Sequence, residues 1–329
     1  MARASETEVD IDSAVSALDA MSRHHFSWIA ESFVHVLILR EWGERKISKR
    51  IDEEYKREVP RCFRIVERIL ELGGRASLEA GREAYVRHLA AAGRTVAGMI
   101  ERERTMIGSF NAALDSSIES LSNAGEVAGA AIAKEARSNR ATYLDWIARA
   151  ADAINLRDSE RNLRSVSNGS RPNWIALSRL YAHLQPAVEE SCVHMLLLRH
   201  EGHTEASEQT WRDSYAYMLQ AAEIVRLFAR RNWALELTNP EVSGDVEEPA
   251  IAHSAQRALE SHRNRLTDLA EVANATATVL SQIHDPDVEA IPRSILRYVQ
   301  ARLKGKPGDP SRPARSIDKM LGDHAYRLV

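Results

Sequence analysis

Two glutamate–histidine pairs are the residues whose types and spacing are best suited to chemistry. Glu31 and His35 form the first pair, and Glu190 and His194 form the second. Both pairs have a spacing of four residues, which in a helix places the two side chains on one face, one turn apart. Two carboxylates and two imidazoles that face each other would form a four-ligand site for Zn, Mn or Fe.

We favour a structural interpretation of these pairs over the metal site. A buried glutamate–histidine hydrogen bond, or a link to Arg40 and Arg199, would orient the packing between the two halves of the chain. The same groups could instead bind a small polar molecule, or serve acid–base chemistry through a histidine that titrates near neutral pH. His24 and His183 could add a fifth ligand or support the other four.

The pairs recur because the sequence repeats itself at a fixed separation. This is the separation between Glu31 and Glu190, and we call it the repeat interval. The stretch HHFSWIAESFVHVLILREWG aligns without a gap to HLQPAVEESCVHMLLLRHEG. Identical residues occupy the positions of His24, Glu31, Ser32, Val34, His35, Leu37, Leu39, Arg40 and Gly43. A repeat of this kind predicts a tandem duplication.

Composition points to a soluble helical protein. The chain has 329 residues, which suits two domains, and its few glycines, prolines and aromatic residues favour helices over a sheet. Its 44 basic and 47 acidic residues are mixed throughout, so no charge pattern favours nucleic acid or an anionic membrane as a partner. Cys62 and Cys192 are not at equivalent positions and are interpreted as buried thiols in a reducing cytoplasm. The first residues contain no signal peptide, and no apolar run approaches the length of a membrane span.

Apolar periodicity predicts four helices in each half. In the first half we expect them at about 12–42, 44–72, 77–121 and 126–154, and in the second at about 173–201, 204–233, 250–282 and 287–304. The predicted domains are 1–156 and 173–304, with a linker at 157–172 and a tail at 305–329. A polar crossover at 237–249 separates the second and third helices of the second half.

The first two helices resemble the start of a bacterioferritin, a member of the ferritin-like superfamily. The residues that carry the resemblance are Phe33, His35, Trp42, Gly43, Arg64, Glu67, Arg68, Ile69, Leu70, Leu72 and Gly74, with the acidic run Asp245–Glu248 in the second half. The resemblance implies an all-α chain of two tandem ferritin-like four-helix bundles packed as a pseudo-dimer.

The resemblance also implies that the family's di-iron ligands are mostly missing. Its first-helix glutamate falls on His25 and Leu184, and its second-helix glutamate–histidine pair falls on Glu58 and Arg61 and on Tyr217 and Gln220. The third-helix glutamate falls near Ile107 and near Glu260, and the fourth-helix pair has no counterpart. The haem-binding methionine falls on Val59 and Met218. No histidine in the chain follows a glutamate by three residues, so we expect no standard di-iron centre. Only one of the two methionines is present, and a lone methionine is more typical of core packing, so we do not expect haem.

Three functions follow, in order of preference. The first is a degenerate ferritin-like protein that acts as a structural or binding module. The second is a metalloprotein or di-metal oxidoreductase that uses Glu31, His35, Glu190 and His194 between the repeats, with Fe, Mn or Zn. The third is a metal-independent enzyme or small-molecule binder. We expect a protein or small molecule as partner, and a monomer or small oligomer rather than a hollow shell.

Overall fold

The chain folds into α-helices, and the part that the structure describes contains no β-strand. The computed structural model describes residues 9–77, 94–155, 163, 171–235, 237, 242, 251–282 and 285–305. Its helices are α1 (Ile11–Glu41), α2 (Arg45–Glu71), α3 (Val96–Asn123), α4 (Val127–Ser138), α5 (Ala141–Asn155), α6 (Arg171–His200), α7 (Thr204–Arg231), α8 (Ala255–Ser281) and α9 (Pro286–Leu303). The all-α prediction is confirmed.

The turns that end α1 and α6 have the same geometry. Gly43 and Gly202 both have a φ of +84°, a conformation that side chains with a Cβ rarely adopt. The amide of the residue after each glycine donates to the carbonyl five residues earlier, at 2.8 Å in both turns. Such a turn satisfies a carbonyl at the end of the helix and lets the next helix pack back along it.

Further helix ends recur at the repeat interval. Thr95 caps α3 by accepting from the amide of Gly98 at 3.0 Å, and Ser254 caps α8 by accepting from the amide of Arg257 at 3.4 Å. Hydroxyl side chains at this position satisfy amides that the first turn of a helix leaves unpaired.

Contacts between helices recur as well. The Ser117 hydroxyl donates to the Ala17 carbonyl at 3.4 Å, and the Thr276 hydroxyl donates to the Ala176 carbonyl at 3.4 Å. The first bond joins α3 to α1, and the second joins α8 to α6. The third helix of each half therefore packs on the first helix in the same register.

The prediction of one helix over 126–154 is wrong, because the chain breaks between α4 and α5. Asn139 and Arg140 lie at the break. The Ser138 hydroxyl donates to the Glu135 carbonyl at 3.1 Å, which is the kind of local side-chain bond that competes with a continuing helix. Arg140 is fully buried there. In the second half, α9 continues through the position that corresponds to this break.

The two halves pack against each other through their first and second helices. α1 contacts α7, and α2 contacts α6. The Trp42 indole donates to the Ala229 carbonyl at 3.2 Å, and the rings of Phe63 and Trp211 meet edge to face at 6.2 Å. Both buried apolar clusters of the described residues contain side chains from each half. Apolar packing is thus continuous across the boundary.

The domain boundaries predicted from the sequence remain predictions. α6 begins at Arg171, two residues before the predicted second domain. Most of the predicted linker and crossover, the acidic run Asp245–Glu248 and nearly all of the tail lie outside the described residues. None of the described helices has the length and apolar character needed to cross a bilayer.

Candidate functional site

The first predicted pair, Glu31 and His35, contacts α3. The Glu31 carboxylate is 2% exposed and accepts two hydrogen bonds from the Arg102 guanidinium, both at 2.7 Å. His35 is fully buried, and its Nδ1 lies 2.8 Å from a carboxylate oxygen of Glu103. Bidentate pairing with arginine uses both oxygens of the glutamate, so Glu31 already has the cation that a carboxylate needs in a protein interior.

The second pair, Glu190 and His194, contacts α8 and the residues before it. Glu190 accepts a hydrogen bond from Arg265 Nε at 2.9 Å and a short one from the Ser261 hydroxyl. The Nε2 atom of His194 accepts from the amide of Ala252 at 3.0 Å. A ring nitrogen that accepts a hydrogen bond has committed its lone pair, which is the group that a metal would bind.

The metal site predicted at these four residues stays a prediction. Each has partners of its own, and the residues that the structure describes include no group of three or more His, Cys, Asp or Glu side chains arranged to hold a metal ion. Of the predicted additional ligands, His24 stacks on Phe110 with ring centroids 6.2 Å apart, and His183 lines a groove between α6 and α8. The predicted link from Arg40 runs to Asp52, at 3.4 Å.

Glu103 forms the first of three buried polar centres that the sequence did not reveal. Its carboxylate accepts from Trp28 Nε1 at 3.0 Å, Ser32 Oγ at 2.8 Å and Tyr143 Oη at 3.4 Å, in addition to His35. Burial, followed by the nearby Glu103 charge, raises the pKa of Tyr143 well above its ordinary value. Four donors around one carboxylate compensate it for the water that it loses on burial.

Glu58 is the second centre, and two guanidinium groups surround it. Arg61 and Arg140 both donate short hydrogen bonds to its carboxylate, and His25 Nε2 lies 3.1 Å from the same group. His25 donates through Nδ1 to the Met21 carbonyl at 3.1 Å. Burial acts to raise the pKa of Glu58, but Arg140, His25 and Arg61 outweigh it, and the pKa lies far below its ordinary value. Glu58 is therefore a permanent anion between permanent cations.

Arg140 supplies one of the two guanidinium cations at this centre. Its guanidinium lies 3.6 Å from the centroid of the Phe110 ring and 5.3 Å from that of Trp28, so aromatic faces also stabilise the cation. Within the described residues, its Nε and Nη1 atoms have no hydrogen-bond partner. Glu54, one turn before Glu58, is buried too, and its pKa is raised by burial and by the Glu58 charge.

Asp213 is the third centre and lies in the second half. Its side chain is fully buried and accepts from Arg302 Nε at 2.7 Å and Tyr298 Oη at 2.7 Å, while His262 Nε2 lies 2.8 Å away. Burial works to raise the pKa of Asp213, but the hydrogen bonds from His262 and Arg302 lower it overall. Asp213 follows Glu54 by the repeat interval, and His262 follows Glu103 by the same separation. The first of these equivalent positions thus carries a carboxylate in both halves, whereas the second carries glutamate in the first half and histidine in the second.

The positions that the resemblance assigns to di-iron ligands show a clear contrast between the halves. In the first half, His25, Glu58 and Arg61 meet in one cluster. In the second half, Leu184 and Tyr217 are fully buried. Among the described residues, the Tyr217 hydroxyl has no hydrogen-bond partner. The donor sets do not fit a pair of iron ions, because two fixed cations occupy the first cluster and the second lacks carboxylate and imidazole ligands at these positions.

Three other positions implied by the resemblance are occupied by a buried isoleucine, an exposed glutamate and a methionine. Ile107 is fully buried, and Glu260 is exposed and accepts from Gln256 at 3.0 Å. The Met218 sulfur accepts from the hydroxyl of Tyr55, in the other half of the chain, at 3.6 Å. That contact gives this methionine a role in packing between the halves.

No protein family, curated protein or solved structure matches this chain. The ferritin-like resemblance therefore rests on the residues named above, and the chemistry has to be argued from the buried centres themselves.

Proposed function

We propose that this chain is a duplicated, degenerate ferritin-like protein that acts as a structural or binding module rather than as a di-iron oxidase. In this proposal, side-chain ion pairs occupy the bundle centres where the family binds iron. The observation that carries the proposal is the buried cluster of Glu58 with Arg61, Arg140 and His25.

The charge of this cluster argues against a metal there. A di-iron centre places several carboxylates around two cations, whereas this cluster places two guanidinium groups around Glu58. Arginine stays protonated in proteins, so a metal ion beside Arg61 and Arg140 would meet fixed positive charge in a medium that screens it poorly. Arg140 supplies the positive charge that a metal would bring.

The duplication and the pseudo-dimer are supported by the contacts between helices. At the repeat interval, α1 corresponds to α6 and α2 corresponds to α7. The α1–α7 contact and the α2–α6 contact are then equivalent to each other. Two equivalent contacts of this kind are what a two-fold pseudo-dimer requires.

We place the protein in the cytoplasm, where thiols stay reduced. Cys62 and Cys192 are both buried and free, and burial raises the pKa of each thiol, which makes them unreactive.

Elemental analysis tests this proposal. The protein would be purified without an affinity tag or chelator and compared with the His35→Ala/His194→Ala double variant by mass spectrometry for Fe, Mn and Zn. We expect far less than one equivalent of metal in both proteins. One or two equivalents in the wild-type protein would contradict the proposal, and their loss in the double variant would establish the alternative metalloprotein that uses Glu31, His35, Glu190 and His194.

Size measurement tests the proposed assembly. Because the second bundle covers a face of the first within one chain, we expect a monomer or small oligomer by size-exclusion chromatography with light scattering. A particle with the mass of a hollow shell would contradict this expectation of a small assembly.

A further inference from the structure

A groove between α6 and α8 has the dimensions of a small-molecule site. Its volume is about 860 Å³, within the range of ligand pockets, which is roughly 300–1,000 Å³. Its apolar lining comes from both helices and includes Ile175, Ala176, Val272, Ala275 and Val279. Val279 remains 37% exposed, so part of this apolar surface faces solvent.

Three arginines give the groove its charge. Arg171 and Arg179 line it from α6, and Arg265 lines it from α8. Asp268 and Glu271 line it from α8, so the cations of the α6 wall face a wall that carries the acidic residues. Arg265 is paired with Glu190 beneath the groove. Arg171 is exposed and Arg179 is half-buried along the α6 wall.

The titration of His183, which also lines the groove, is consistent with a positive potential. Burial lowers its pKa, the charges of Arg179 and Arg265 lower it further, and the result is a pKa of about 4. The part of this pKa shift that comes from Arg179 and Arg265 reflects a positive potential, which favours an anion.

The equivalent groove in the first half shows that the fold does not require these cations. This second groove, between α1 and α3, has a volume of about 740 Å³. Asp12 occupies the position of Arg171, and Ala20 occupies the position of Arg179. The remaining lining is largely serine. Two grooves of one architecture thus differ in charge and polarity, as expected if only one of them binds an amphipathic anion.

We propose that the α6–α8 groove binds a small amphipathic carboxylate, with its chain on the apolar lining and its carboxylate on the arginines of α6. Arginine suits this role because its planar guanidinium donates two parallel hydrogen bonds to a carboxylate. The apolar wall gains from burial in proportion to the area that the ligand covers. This site is separate from the bundle centres, so ligand binding in the groove does not depend on whether the protein binds a metal.

Calorimetric titration with decanoate and decanol tests the site, because the two probes share a chain and differ in charge. Both would be used at concentrations where they remain monomeric. We expect saturable binding of decanoate, with decanol weaker by about tenfold or more. No binding of decanoate at millimolar concentration, or equal binding of the two probes, would overturn the proposal.

A double variant identifies the groove as the site. Arg171→Asp/Arg179→Ala installs the residues that the first half carries at these positions, and we expect it to weaken decanoate binding by about tenfold or more. Arg263→Ala is the matched control, because Arg263 is an exposed arginine of α8 that does not line the groove. Thermal unfolding without ligand checks that both variants fold. A folded double variant that binds decanoate as tightly as the Arg263→Ala control would refute the assignment.

Discussion

The Glu58 carboxylate and the Arg140 guanidinium form an ion pair in which neither side chain is exposed to solvent. Glu58 lies in α2, and Arg140 lies at the break between α4 and α5. Both groups give up their hydration to meet. The loss of Glu58 would leave the buried Arg140 without its carboxylate partner, and the loss of Arg140 would leave Glu58 with Arg61 as its remaining guanidinium partner.

Replacement of Arg140 by alanine tests this pair. We expect Arg140→Ala to lower the free energy of unfolding by about 3–5 kcal/mol, the usual cost of breaking a buried ion pair from one side. Urea denaturation followed by circular dichroism measures the change. Arg104→Ala is the control, because the Arg104–Glu101 pair is about half exposed on both sides and exposed ion pairs contribute little to stability. Equal effects of the two substitutions would contradict the role of Arg140.

Small cations offer a second test of the same site. If Arg140 supplies the charge that Glu58 requires, methylguanidinium at low millimolar concentration should raise the melting temperature of Arg140→Ala more than that of the wild-type protein. The same concentration of tetramethylammonium, which has no N–H donor, serves as the control. An identical response of both proteins to methylguanidinium would show that the cavity does not accept the cation.

The Asp213 centre makes a parallel prediction for the second half. Asp213→Asn keeps the shape of the side chain but removes the buried negative charge that pairs with Arg302 and His262. We expect a loss of about 3–5 kcal/mol in the free energy of unfolding. In the same helix, Glu223 pairs with Arg226 and is about half exposed, so Glu223→Gln should cost less than about 1 kcal/mol. A loss in Asp213→Asn that is as small as in this control would count against a buried charge cluster.

Stability should fall as the pH falls from 6.5 to 4, partly because of His183. Its pKa is about 4 in the folded protein, against 6.5 as the ordinary value. Between these values the unfolded chain binds the proton and the folded chain does not, so protons favour unfolding. The stabilisation is complete above pH 6.5 and is lost as the pH falls toward 4.

Substitution of His183 isolates this contribution. In urea titrations without ligand between pH 4 and 6.5, the slope of unfolding free energy against pH should be lower in His183→Gln by up to about 1.4 kcal/mol per pH unit, the value for one proton. His24→Gln removes the histidine at the equivalent position of the first half and serves as the control. A slope that is unchanged in His183→Gln would contradict the lowered pKa.

The helix ends of α2 and α7 predict an ordered series of substitutions at Gly73. Gly73 has a φ of +72°, and Asn232, which occupies the equivalent position of the second half, has a φ of +54°. No neighbouring atom would clash with a Cβ at Gly73, so only the backbone conformation opposes a side chain. We expect Gly73→Ala to destabilise the protein by about 1 kcal/mol and Gly73→Asn by less, because asparagine tolerates this conformation.

Gly108 provides the matched control for this series. It lies inside α3 with ordinary helical geometry, is exposed and has open space around its Cβ position. Gly108→Ala should therefore stabilise the protein by up to about 1 kcal/mol. Thermal unfolding of the three variants would contradict the interpretation if the alanine substitutions at both glycines had the same sign.

Much of the fold could be predicted from the sequence because its signals are local. Periodic apolar residues and terminal glycines are properties of short stretches, and they placed most helices to within a few residues. The break at Asn139 was missed because apolar periodicity resumes beyond it in Tyr143 and Ile147, both fully buried. A repeat of identical residues predicts equivalent positions without any knowledge of packing.

The polar centres could not be predicted because they depend on long-range partners. Sequence spacing placed Glu31 and His35 on one face but did not identify Arg102 and Glu103, about seventy residues later, as their partners. One signal was present. Arg102 is a partner of Glu31, and Ser261 is a partner of Glu190. These two partners are themselves separated by the repeat interval, so the repeat could have indicated where the partners lie.

The packing of α1 on α7 and of α2 on α6 also bears on how the molecule can be divided. A cut between Asn155 and Arg171 would give two fragments, each with an apolar surface that the other normally covers. Neither fragment should be a well-behaved monomer, but the two expressed together should assemble into the intact arrangement. The chain is thus a natural candidate for a split protein whose reassembly reports the proximity of whatever is fused to the two new ends.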